Sequence, residues 1–152
     1  MAKINFTRLF IGGLIASILL FVTDGVLHEH VFHDYWEYVY QGLGAHEPQG
    51  GGHAIAVLYF LVFELGRGFL AMFIYVLMRP FHGPGPMTAV MAAIVAWLAF
   101  SVAGPAQFIP LGFYSRRLWV MVAGAQLVTS VVANLAAAWL YRDPATAVTP
   151  AE

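Results

Sequence analysis

The sequence predicts an all-α integral membrane protein: a four-transmembrane-helix bundle with an interfacial amphipathic helix after the first span. Three observations predict it. Hydrophobic residues make up 61% of the chain and charged residues 10%, whereas soluble domains run near a quarter charged. A body of 152 residues keeps much of its surface exposed and could not hide so much apolar area from water. Four runs reach the roughly 20 residues needed to cross the hydrocarbon as a helix, and none alternates apolar and polar residues as a membrane strand would.

The first run is Leu9–Leu27. Lys3 and Arg8 ahead of it give the layout of a signal peptide, but no small-x-small site follows Val22, so a retained span is expected. The second run, Ala54–Met78, is interrupted only by Glu64 and Arg67. The third extends from Thr88 to about Ala103, where Gly104 and Pro105 are expected to break or end it. The fourth, Leu118–Tyr141, is apolar apart from Gln126, Thr129, Ser130 and Asn134. Gly12–Ala16, Ala92–Ala96 and Ala133–Ala137 are small-xxx-small pairs, a spacing that lets helices approach closely in lipid.

The joints differ in character. Gln41–His53 is Gly-rich and water-facing, and Arg79–Pro86 reads as a tight turn with three prolines. Pro105–Ser115 is apolar yet carries two prolines. It is expected at the interface or folded back into the protein, because irregular backbone facing lipid leaves amides unpaired. Residues 1–142 then form a single domain, and Asp143–Glu152 a flexible cytoplasmic tail.

Lys/Arg bias orients the spans. A cytoplasmic N-terminus puts Lys3, Arg8, Arg79 and Arg142 inside and Arg116 and Arg117 outside. Both termini are then cytoplasmic, in a bacterial inner membrane, and the His-rich stretch after the first span is periplasmic. Tyr35, Trp36, Tyr38, Tyr40 and Trp119 suit an aromatic belt at that outer boundary.

Charges at membrane depth are costly and turn toward the protein interior. At about 1.5 Å per residue, Asp24, Glu64, Arg67, Ser101 and Gln126 come out at one level, roughly 18–24 Å from the cytoplasmic ends. Glu64 and Arg67 are three apart and can pair on one face. Asp24 is the natural second carboxylate for the Arg67 fork. The expected result is an intramembrane polar network whose plainest role is to fix helix packing.

The stretch Thr23–Tyr40 concentrates the titratable groups. As a helix, its apolar face is Leu27, Val31, Tyr35 and Tyr38, with Glu29, His30, His33, Asp34 and Glu37 opposite. His28, Glu29, His30, His33, Asp34 and Glu37 are candidate metal ligands, with His46 and His53 as additional ones from the following loop. The order HEHVFHD is not that of a zinc-peptidase motif, since position 32 is Phe. The competing reading is the wet face of an interfacial helix.

Exclusions narrow the function. The absence of Cys removes disulfides and thiolate sites, and a net charge of −1 argues against nucleic acid. No nucleophile–base set or phosphate loop is present, and no His falls between His53 and His82 to ligate a mid-membrane haem. The expectation is a small non-catalytic accessory or structural subunit of a larger bacterial membrane complex, respiratory or photosynthetic. Its partners would be the lipid bilayer and other membrane subunits, or further copies of itself. The alternative is a metal-binding or proton/ion-handling protein using the His/acid cluster and the Asp-Glu-Arg network. Its cofactor would be a divalent transition metal, or a lipid or pigment contacted at the membrane faces.

Overall fold

A computed structural model of the chain describes residues 4–46, 48–113 and 115–141. The expected tail 143–152 lies outside the described residues. Every element is helical: α1 Phe6–Val26, a π-turn Leu27–Val31, α2 His33–Gly42, α3 Gly51–His82, α4 Pro86–Trp97, a second π-turn Leu98–Ala103, the short α5 Gly104–Ala106, and α6 Arg116–Leu140. No strand occurs among the described residues. Four continuous helical stretches, Phe6–Val31, Gly51–His82, Pro86–Ala106 and Arg116–Leu140, are long and apolar enough to cross a membrane. Only about a third of each is buried within the chain, which implies a bilayer around the rest.

Local chemistry sets the ends. The Asn5 side chain caps α1 by accepting from Arg8 N at 3.0 Å, and Ser115 caps α6 by accepting from Leu118 N at 3.2 Å. The Arg79–Pro86 turn is shorter than expected, because α3 runs through Pro80 to His82. A proline one turn from a helix end forfeits a single backbone bond and already has a helical φ. The chain then turns at Gly83, whose φ of +77° suits a residue without Cβ. Gly83 N donates to Arg79 O at 2.9 Å, Thr88 Oγ1 donates to Gly83 O at 2.8 Å, and Pro86 opens α4 where no N–H is needed.

Gly104 and Pro105 do not end the third span. The helix passes through the second π-turn into α5 and stops after Ala106. The wider π-turn changes the hydrogen-bond partners at this point, so a residue lacking an N–H is accommodated near the start of the next turn. Residues 107–112 follow as successive turns whose amides pair locally, including Phe108 N to Pro105 O at 3.0 Å and Gly112 N to Ile109 O at 3.0 Å.

The long helices contact one another in cyclic order: α1 against α3, α3 against α4, α4 against α6, and α6 against α1. All three small-xxx-small pairs are buried. Ala16, Ala89, Ala92, Ala137 and Ala138 surround Met72, Tyr75 and Val76 in the apolar core. The closest approach is Gly68 of α3 on Ser17 of α1, where a Cβ on Gly68 would fall 2.5 Å from Ser17 N. Side chains tie α4 to α6: Asn134 Nδ2 donates to Ala89 O at 2.7 Å and Trp97 Nε1 to Ala123 O at 2.7 Å. At the end bearing Gly83, Arg79 lies over the ring of Tyr141 at 4.9 Å, and Asn5 N donates to the Tyr141 hydroxyl at 3.2 Å.

Candidate functional site

The opposite end of the helices carries the titratable groups, in three tiers. The deepest is ionic. Arg67 Nη1 donates to Asp24 Oδ2 at 2.5 Å and to Glu64 Oε1 and Oε2 at 2.8 and 2.9 Å, and Arg67 Nη2 donates to Ser130 Oγ at 2.8 Å. Thr129 Oγ1 donates to Asp24 Oδ1 at 2.6 Å. Asp24 and Glu64 have no exposed surface and Arg67 only 2%. One guanidinium therefore joins α1, α3 and α6, and both carboxylates are satisfied by charge-assisted bonds.

Asp24, Glu64 and Arg67 meet as their spacing predicts. Thr129 and Ser130 complete the network without having been singled out. Ser101 and Gln126 reach the same level but join a different feature. They line a cavity of about 190 Å³ beside the network, with His28, Trp36, Phe60, Phe63 and Trp119 among its walls. Ser101 is 2% exposed, and its hydroxyl has no hydrogen-bond partner.

Each of the two π-turns supplies a wall residue of the cavity, His28 from the first and Ser101 from the second. In the first, Phe32 N donates to Leu27 O at 2.9 Å, five residues back, so the chain accommodates one extra residue per turn. The inward stripe beyond it is therefore His28, Phe32 and Trp36, while of the expected face Leu27 and Tyr35 stay half-buried and Val31 and Tyr38 turn outward. Phe32 is buried, while Val31 and Tyr38 are 56% and 73% exposed. His28 stacks on Trp36 with ring centroids 5.5 Å apart and leans on Phe60 at 5.6 Å. His28 Nδ1 lies 2.7 Å from Asp24 O. A carbonyl only accepts, so Nδ1 carries the hydrogen, and in the neutral ring Nε2 is left as an acceptor. In the second π-turn, Val102 O accepts from Trp119 Nε1 at 3.3 Å, which draws Trp119 against the Ser101 wall.

The third tier is a wet cleft of about 520 Å³ on the far side of the His28–Trp36 pair, lined also by Glu29, His33, Glu37 and His46. Of the candidate metal ligands, His30 and Asp34 are exposed and do not line it, and His53 sits exposed in the first turn of α3. Among the described residues, no three His, Asp or Glu side chains converge closely enough to hold a metal ion. Glu29 and His33, and His30 and Asp34, each four apart in sequence, are divided by the π-turn and Phe32, whereas His33 and Glu37 share α2.

Comparison with protein-family models, with curated proteins and with solved structures finds no match for this chain.

Proposed function

We propose that this chain is a non-catalytic integral membrane subunit, a helical unit built to pack against other components of a larger bacterial membrane complex. The observation that carries the reading is the closed Asp24–Arg67–Glu64 network. Its polar side chains are hydrogen-bonded to one another and to Thr129 and Ser130, as suits a lock that fixes helix positions. The largely unburied apolar faces of the four spans then provide surface for lipid and for neighbouring helices. In this reading the spans form a four-helix bundle in the inner membrane with both termini cytoplasmic, and α2 lies at the periplasmic interface with His33, Asp34 and Glu37 toward water.

The wet cleft favours a second reading, proton or ion handling, because it reaches His28 and through it the backbone of Asp24. Native gels of gently solubilised membranes, with metal analysis of the same band, separate the two. Migration within a stoichiometric larger assembly without bound metal supports the subunit. A chain that runs alone, and whose Asp24→Asn or Glu64→Gln variant abolishes a measured ion flux in vesicles, sinks it.

A further inference from the structure

From the cavity beside the ion network we infer a binding site for a neutral, ring-headed membrane amphiphile: a single six-membered ring bearing hydrogen-bonding oxygens, of the quinone, quinol or phenol class, on an apolar tail. The inference goes beyond the subunit reading and does not depend on it, since the site lies within one copy of the chain.

Size comes first. An apolar cavity of about 150 Å³ takes up one benzene ring, so the 190 Å³ here suits one substituted ring and not a fused or porphyrin-sized system. The walls come next. Phe60, Phe63, Trp36 and Trp119 provide aromatic faces and edges for a flat guest.

Polar groups are few. The Ser101 hydroxyl is buried without a partner, a state that costs free energy unless something fills it. The Gln126 amide and the His28 ring also line the cavity, supplying a donor-and-acceptor pair and the Nε2 acceptor. Carbonyl and hydroxyl oxygens on a ring match these groups. Among the described residues, no Asp, Glu, Lys or Arg lines the cavity, and Arg67 is already occupied by two carboxylates and Ser130. A phosphate or carboxylate head group would therefore enter without a counter-charge, at a high cost in this setting.

The tail is placed by a second feature. An open apolar groove of about 540 Å³, lined by Phe63, Ala99, Phe100, Gly104, Pro105 and Phe108 among others, shares Phe63 and Pro105 with the cavity. The groove lies along the second π-turn and α5, within the third membrane-crossing stretch. A lipid-soluble molecule can thus pass sideways from the bilayer, with its head in the cavity and its tail in the groove. The His28–Trp36 stack lies between that largely apolar space and the wet cleft.

The test uses the full chain in nanodiscs and two probes: a fully substituted benzoquinone with a decyl tail, and its counterpart with a methyl in place of the tail. Trp36 and Trp119 report binding by fluorescence quenching, and the melting temperature gives a second readout. Saturable quenching is expected, accompanied by a ligand-dependent rise in melting temperature. Ser101→Ala should weaken binding about tenfold yet leave the ligand-free melting temperature unchanged or higher, because the lost hydroxyl had no partner. Val122→Trp, which fills the cavity from α6, should abolish saturable binding. Per total ligand, the tailed probe should bind at least about tenfold more tightly than the tail-less one, because its chain concentrates it in the bilayer onto which the groove opens. Quenching that rises linearly without saturation, or that ignores both substitutions, overturns the site. Equal affinity for the two probes overturns the membrane source and leaves a soluble ring as the guest. A Ser101→Ala protein that melts lower without ligand shows that the hydroxyl serves the fold, and overturns the inference as well.

Discussion

Arg67→Met removes the guanidinium while keeping much of the side chain's length and apolar body. It leaves two fully buried carboxylates without the cation that each meets within 2.9 Å. Removing one partner of a buried ion pair costs about 3–5 kcal/mol, well above the roughly 0.6 kcal/mol of an average hydrogen bond between membrane helices. Against a typical total stability of about 5–15 kcal/mol, the substitution forfeits a large fraction. Unfolding in mixed micelles, titrated with SDS and followed by circular dichroism, measures the loss. The triple variant Asp24→Asn, Glu64→Gln, Arg67→Met carries no charge in this layer and is expected to recover at least about half of it, because a stranded charge is worse than none. A loss under about 1 kcal/mol for the single variant would refute charge compensation as the lock. A triple variant no more stable than Arg67→Met would refute it equally.

Three further substitutions test the packing. Gly68→Ala should cost about 1–3 kcal/mol, because its Cβ meets the Ser17 backbone at 2.5 Å. Gly12→Ala closely meets only the far end of the unbranched Met72 side chain, at 2.7 Å, and should cost less; equal effects in the same SDS titration would refute the distinction. Asn134→Ala should lower stability by about 0.5–1.5 kcal/mol through loss of the bond to Ala89 O, and a thermal melt in detergent that shows no change would exclude that bond as a tie between α4 and α6. Tyr141→Phe keeps the ring beneath Arg79 and gives up only the bond from Asn5 N, so it should melt close to wild type, whereas Tyr141→Ala should melt clearly lower.

The four spans were legible because an apolar run longer than the hydrocarbon thickness has few other solutions. Asp24, Glu64 and Arg67 were legible for a related reason: a charge at membrane depth must find its opposite. Thr129 and Ser130 were not, since a hydroxyl in a helix usually bonds to its own preceding turn, as Thr23 does to Leu19 O at 2.7 Å. The π-turns left no trace in composition. They change how many residues a turn holds, not which residues occupy it, so a stripe counted at 3.6 per turn moved from Leu27 and Val31 to His28, Phe32 and Trp36. Pro80 and Pro105 misled for the opposite reason. Proline usually stops a helix, and here one sits in a final turn and the other just beyond a π-turn.

The second π-turn makes residue count as consequential as residue identity. Deleting one residue within Leu98–Ala103 would restore ordinary α-helical winding. The flanking segments would keep their facing, because a π-turn absorbs one extra residue locally and its removal takes out the bulge alone. Ser101 and Pro105, four positions apart on the same wall, would still share a face, but the Val102 carbonyl would lose the offset at which it accepts from Trp119 Nε1. A chain with every wall residue intact but one residue fewer here would lose the tie that draws Trp119 against the Ser101 wall, so a single-residue gap at this point reshapes the cavity without touching its lining.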